Sequence, residues 1–484
     1  MTRSISETVR FRDLPGFPRL FIDLVEGNPS ARQFFPNMPD RDNLLAQAAR
    51  LQAEPWPRTA ICDLLREQAR RFSSDETAFA NIQRLQSTNA VIVLAVLRPR
   101  LLGGSLADWL QAMTAARMAG WLGKRGIPAV PVVGIVMDRA QEGLTARVFS
   151  REGNKEFSLG GFSGPESTIP GYVGALHEQL AHTLGISAGD SHVLADLASA
   201  FSQGSDLTVA FGSFLSRTLA SLGLIFFNPP ENGSLLVPAG VPENAMGPVR
   251  SSQAARLAAA GYLPARSDTG PGQGAPTYRG DLPVSLMLPV AVEVLGEGNV
   301  HEAACDQALF ESLGRIAPCA WPRASVSLVD LRSRRVLARY GLHWRELFAG
   351  PHELKDRLVP QELVRHTLGS LDMLADEVRR STSRLMELVP SGARLRSRTE
   401  RAGARMAYQV AKLKDRYLRV LQRRSEAVDR QVSRLCSFLA PGRQLQEQYF
   451  PGFALMIRHP GKVPELVYES IDPWKFEHQV LSLD

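Results

Sequence analysis

A chain of 484 residues is too long for one compact core, and at roughly 100 to 200 residues per domain it should fold as roughly two to four units. Its 44% hydrophobic and 22% charged content is that of a globular protein, and apolar runs of about ten residues, against the roughly 20 that a spanning helix needs, exclude membrane insertion. The net charge of +7 is uneven: residues 394–434 hold 13 Lys or Arg against 4 Asp or Glu, which leaves the rest of the chain at −2.

The start, Met1-Thr2-Arg3-Ser4-Ile5-Ser6-Glu7, lacks the apolar stretch of a secretory signal, so a cytoplasmic location is expected. Cys62, Cys305, Cys319 and Cys436 are scattered without a C-x-x-C pair, which argues for reduced structural thiols and against a zinc knuckle or disulfide framework.

Residues 1–88 read as a helical cap of the core, with apolar residues at three-and-four spacing over 40–52, 58–72 and 76–85. Residues 89–350 alternate strand and helix signals. The run 90–97 is a buried strand, Gly103-Gly104-Ser105 is a tight turn, and 107–124 is a helix whose start is marked by an S-x-x-D capping box, Ser105 with Asp108. A second apolar strand, 127–137, completes a strand-helix-strand unit, which implies a parallel pair joined by a right-handed crossover. The first N–H groups of such a helix have no partner inside it and suit an anionic ligand. A core unit without a ligand is the alternative, since the pattern G-x-G-x-x-G is absent.

Further on, 171–184 and 207–222 read as helices and 223–229 as a strand ending in a turn. His177-Glu178 with His182 resembles a zinc helix motif, but the two histidines are five apart, which turns them roughly 140° from each other on a helix. Residues 268–276 are a Gly- and Pro-rich loop. Residues 283–295 read as another buried strand, broken by Gly296-Glu297-Gly298 in the manner of a ligand-facing loop.

From 352 to 440 the pattern changes to heptads. Val364, Leu368, Leu371, Ala375, Val378, Thr382, Leu385 and Val389 form one seam, Pro390-Ser391-Gly392 turns the chain, and Met406, Val410, Leu413, Tyr417 and Val420 begin a second, which slips by one residue and resumes at Val428, Val432, Leu435 and Leu439. The expectation is an antiparallel helical hairpin, an arm roughly 45 to 60 Å long at about 1.5 Å per residue. Such an arm has one wet side and is expected to dock on another subunit; an arm folded back on its own core is the alternative. The excess of cations on its second helix reads as a solvated face, with nucleic-acid binding the less supported reading. Residues 441–484 carry short mixed patterns rich in aromatics, expected to pack on the core.

Several segments carry a resemblance. Asn81-Ile82-Gln83-Arg84-Leu85, Leu101-Leu102-Gly103-Gly104, Thr114-Ala115, Leu309-Phe310-Glu311-Ser312-Leu313-Gly314, Trp321-Pro322-Arg323-Ala324-Ser325, Tyr340-Gly341-Leu342, Leu445-Gln446-Glu447 and Phe476-Glu477-His478-Gln479-Val480-Leu481 occur in an order and spacing that resemble the bacillithiol biosynthesis cysteine-adding enzymes, or cysteine ligases. The resemblance runs nearly end to end. It implies an α/β fold, a Rossmann-like parallel-sheet core with inserted segments, plus a long antiparallel α-helical coiled coil that makes a homodimer. It also implies L-cysteine and glucosaminyl-malate as substrates in the last step of making bacillithiol. Apart from the resemblance, the short apolar runs and the lack of a recognised nucleic-acid motif beside the charge lead to the expectation of no membrane or nucleic-acid partner. Amide formation needs an activated carboxylate, so ATP or another nucleotide is a reasonable cofactor, and no metal cluster is indicated.

The chain departs from the family pattern in three loops. The family's T-G-Q-Q-x-G is Ala95-Val96-Leu97-Arg98-Pro99-Arg100 here, its E-D-H-D cluster is Asp138-Arg139-Ala140-Gln141, and its G-G-P-G-E type loop is Leu295-Gly296-Glu297-Gly298-Asn299. A divergent paralogue, acting as a dimeric binding or regulatory protein, is therefore the second reading. The expected ligand-binding residues are Gly103, Gly104 and Ser105 at the helix start, Gly296 and Gly298 on the later loop, and Arg323 with Ser325. Arg323 would clamp a carboxylate through its planar guanidinium, or else form a structural ion pair. Arg98 and Arg100 would grip a phosphate or carboxylate, or else lie on the surface. Asp138, at the carboxyl end of a strand, is the one expected catalytic residue, as an acid, base or amine anchor.

Overall fold

The computed structural model describes residues 5–137, 142–150, 153–163, 169, 173–185, 192–202, 205–229, 246–264, 283–359, 361–388, 393–458 and 463–483. The chain forms two compact units, one of residues up to Asp330 together with Gln444 onward, the other of Leu331–Arg443.

The first unit is built on five parallel strands in the order β6-β3-β2-β7-β8: β2 (Val91–Leu97), β3 (Ala129–Ile135), β6 (Ile225–Phe227), β7 (Val290–Leu295) and β8 (Cys319–Pro322). A parallel sheet is covered on both faces, so its strands read as unbroken apolar runs, and β2 and β3 are buried along nearly their whole length. The N-terminal helices supply much of that cover. Ile61, Cys62, Leu65 and Ile82 pack with Ile92, Leu94, Val130 and Val132, while Leu44, Ala48 and Leu51 pack with Val91, Val93, Ala129 and Val294. The helix Leu106–Gly123 joins β2 to β3 with its capping box formed as the sequence implies.

Three-stranded pairing ties the chain ends together. β10 (His478–Leu483) lies between β1 (Ile5–Val9), to which it is antiparallel, and β9 (Ser325–Asp330), to which it is parallel. β4 (Glu142–Ser150) and β5 (Gly153–Ser163) form a separate antiparallel hairpin. The stretch expected as one strand over 283–295 divides instead. Val284–Met287 is a helical turn, and Pro289, which has no N–H to donate, ends it and offers its carbonyl to Ile92 N at 2.8 Å as β7 begins.

The second unit carries two long helices, Gln361–Leu388 and Ala393–Leu439. They run antiparallel: Thr382 faces Gly403, and farther along Asp372 pairs with Lys414. The Pro390-Ser391-Gly392 turn lies outside the described residues. The first helix uses most of the expected seam, with Val378 buried but Leu385 52% exposed, whereas the second keeps only Val410 and Tyr417 of the first part of its expected seam half-buried and is turned from the rest. Gly403 is buried at the contact, and Met406, Leu413 and Val420 are 57%, 52% and 57% exposed. The physical reason is close approach: a Cβ at residue 403 would stand 2.4 Å from Thr382 Cγ2, so a glycine, with Ala407 one turn on, brings this face rather than the bulkier apolar line against its partner. At the other end of the unit Val428, Val432 and Leu435 are buried, and Tyr340 donates to Gln431 at 2.9 Å.

Candidate functional site

The strand order reverses between β2 and β7. In open α/β sheets ligands bind outside the carboxyl ends of the strands at such a switch point. Here the rim is made by the segment after β2 (Arg98 to Ser105) and the one after β7 (Gly296 to Asn299). Two polar side chains missed by the sequence reading hold these segments. Gln111, 4% exposed on a largely apolar helix, donates to Val96 O at 3.2 Å and Val294 O at 2.7 Å, and Asn299 donates to Val96 O at 3.2 Å. A Gln within an apolar helix stretch was the available signal for the first. Across the rim Arg98 Nη2 meets Glu302 Oε1 at 2.6 Å. Arg100 is half exposed, 3.8 Å from Asp108.

The expected phosphate cradle is closed within the chain. Ser105 N donates to Asp108 Oδ2 at 2.8 Å, Asp108 N to Ser105 Oγ at 3.3 Å, and Leu106 N to Phe450 O at 2.9 Å. Gly103 and Gly104 have φ of 74° and 78°, and a Cβ on Gly103 would lie 2.3 Å from the Phe214 ring. The glycine pair therefore has a packing requirement of its own, and the Asp108 carboxylate occupies the place where an anion would need to sit. These residues do not fit a phosphate in this arrangement.

Gly296, Arg323 and Ser325 come together in a buried polar cluster. Arg323, 2% exposed at its side chain, donates through Nη2 to Glu297 Oε2 at 2.8 Å and Glu447 Oε1 at 2.9 Å, and through Nη1 to Ala324 O at 3.0 Å. The carboxylate clamp thus closes on two of the chain's own carboxylates. Glu447 also accepts from Ser325 Oγ at 2.6 Å and Val326 N at 2.5 Å, and Glu297 from Gln448 at 2.9 Å. Burial works against the Glu297 carboxylate, but the Arg323 charge and the hydrogen bonds outweigh it and hold it below its usual range. Burial likewise disfavours the Arg323 cation, and the two carboxylates reverse that effect and raise it.

The chain of hydrogen bonds continues to His478, fully buried, whose Nδ1 is 2.7 Å from Ser325 Oγ and whose Nε2 is 3.0 Å from Ser327 Oγ. Burial, aided by the Arg323 charge, pushes the imidazole down to about 3, so it is neutral. Because the Ser325 hydroxyl proton goes to Glu447, His478 carries its own proton on Nδ1 and accepts from Ser327 at Nε2. Glu447 and His478 were quoted in the sequence only as part of matching segments; their joint role depends on a 122-residue and a 153-residue separation that no local pattern shows.

Of the remaining expected residues, Gly298 stands in open space and Asp138 lies outside the described residues. Among the described residues, no group of three or more His, Cys, Asp or Glu could hold a metal ion, and no helix is long and apolar enough to cross a membrane.

The strand order and the loops at its reversal define a Rossmann-like α/β protein with a helical hairpin unit. Residues 6–234 match the model for the N-terminal Rossmann-like domain of the bacillithiol biosynthesis protein BshC, and residues 326–483 match that for its C-terminal coiled-coil domain. The chain belongs to the BshC family. Relatives named "Putative cysteine ligase BshC" occur in Solibacter usitatus, 24% identical over 98% of this chain and 99% of the relative, in Koribacter versatilis, 23% identical over 92% and 93%, and in Salinibacter ruber, 23% identical over 90% and 91%.

Proposed function

We propose that the protein is a cysteine ligase that joins the carboxyl group of L-cysteine to the amine of glucosaminyl-malate, the last step of bacillithiol synthesis, with ATP or another nucleotide as the co-substrate whose phosphoryl or adenylyl group leaves with the displaced carboxyl oxygen as the amine gives up its proton. The observation that carries this reading is the end-to-end match to relatives named as cysteine ligases, with the loops of the switch point standing where such a site is expected. Both substrates carry carboxylates, and Arg98 and Arg100 are the cations placed to meet them, with Glu302 the partner that a substrate carboxylate displaces. Arg323 and Ser325 act behind them as positioning residues, since their polar atoms are engaged within the cluster. Gly296 lets the loop pass close to Gln111, Gly298 leaves the same loop open to a ligand, and Asp138 is the acid, base or amine anchor. No phosphoryl step is assigned to Gly103, Gly104 and Ser105, whose donors are engaged inside the chain. The coiled-coil hairpin supports a homodimer.

A second reading is a divergent paralogue that keeps the scaffold as a dimeric binding or regulatory protein. The Arg98–Glu302 pair across the rim, where the family carries small and amide residues, favours it.

A mass-spectrometric thiol assay with L-cysteine, glucosaminyl-malate and ATP decides between them, run beside a relative that retains the E-D-H-D cluster. Bacillithiol formation supports the ligase, and Arg98→Gln should then raise KM for the acceptor. Absence of product from folded protein, with the relative active, supports the paralogue.

A further inference from the structure

The cations of the Ala393–Leu439 helix are not scattered around it. At about 100° per residue, Arg394, Arg398, Arg401, Arg405, Lys412 and Arg416 fall within about 40° of a single line. The same phase continues through Arg419, Arg423 and Arg430, interrupted only by Tyr408 and Glu426. Each of these nine cations is exposed. Among the described residues only Arg419 is ion-paired, with Asp415. The stripe spans 37 residues, about 54 Å at about 1.5 Å rise per residue, on one uninterrupted helix.

We infer that this stripe is a docking surface for an anionic lipid bilayer. Three observations select that occupant. First, a second copy of the chain offers no net acidic excess to match the stripe: outside 394–434 the chain carries only −2, and the companion helix Gln361–Leu388 has five acids against four arginines. Second, a line of cations along a single helix meets a plane at every position at once. A nucleic-acid duplex curves away from such a rod after a few phosphates, unless the helix enters a groove with its side chains fanned around it, and these lie along one line. Third, eight of the nine are Arg, whose planar fork pairs two N–H groups with one phosphate headgroup, and clustered cations of this kind bind the anionic leaflet in proportion to their number. Peripheral attachment of this sort needs no spanning helix. It departs from the expectation of no membrane partner, which was drawn from the absence of insertion signals.

The test is co-sedimentation of the full chain with vesicles of phosphatidylglycerol and phosphatidylcholine in equal parts, beside phosphatidylcholine alone. Binding to the anionic vesicles only, weakened by salt, is expected. The double variant Arg405→Glu with Arg416→Glu should reduce the bound fraction by about fivefold or more, while Arg396→Glu with Arg424→Glu, an equal charge change off the line, should leave it largely intact. Circular dichroism establishes that both variants keep their helix. Equal loss in the two variants would reduce the effect to net charge, and absence of binding, or preference for a DNA duplex over the vesicles, would overturn the proposal.

Discussion

Arg323 and Glu447 are 124 residues apart in the chain, yet Nη2 and Oε1 stand 2.9 Å apart with side-chain exposures of 2% and 0%. Because Glu297 shares the same guanidinium, removal of the cation strands two carboxylates in the interior. Arg323→Leu should therefore cost about 3–5 kcal/mol, read as a lower midpoint in denaturant unfolding. Glu447→Gln should cost less, since Arg323 keeps Glu297. An unshifted midpoint for Arg323→Leu would remove the cluster from the account of stability.

His478 should remain neutral throughout the physiological range. With a folded value of about 3 against an ordinary 6.5, the unfolded chain binds a proton between those limits that the folded chain refuses, so this group's contribution to stability is present above 6.5 and is lost as pH falls toward 3. Nitrogen-15 NMR of histidine-labelled protein should show one ring that stays in the Nδ1–H tautomer at pH 5. A full set of rings titrating near 6.5 would contradict the assignment.

Glu293 on β7 has the opposite sign. Burial, with Asp306 and Glu302 as neighbours, raises its carboxyl to about 8, so the folded chain holds a proton from 4.5 to 8 that the unfolded chain releases. Stability falls as pH rises through that window, by at most about 1.4 kcal/mol per pH unit and less where water reaches this partly buried side chain. Glu293→Gln should accordingly be more stable than the parent at pH 8 and close to it near pH 4.5. A constant difference at both values would dismiss the effect.

Gly103→Ala should lower stability by about 2–4 kcal/mol, combining overpacking with a positive φ. Phe214→Ala in the same chain should recover the steric share, since the ring is what a Cβ at 103 would meet. A double-mutant cycle showing simple additivity would instead assign the whole cost to the backbone.

What the sequence determined by itself was whatever depends on neighbours a few residues apart. The apolar run of β2, the Ser105–Asp108 capping box, the helix to β3 and the two arm helices are written in one unbroken run and in spacings of three and four, and the structure contains them. The family was legible for a related reason, since it rests on short segments in a fixed order. Only the tertiary structure decided which long-range partners those segments meet. It placed Phe450 and Phe214 against the glycine turn, turned the arm seam onto Gly403, set Glu447 and His478 behind Arg323, and joined the chain ends through β1, β10 and β9. Strand pairing, ion pairing and close packing act through space between residues from some twenty to several hundred positions apart, and a local pattern records which side chains are available for them without recording which ones they find.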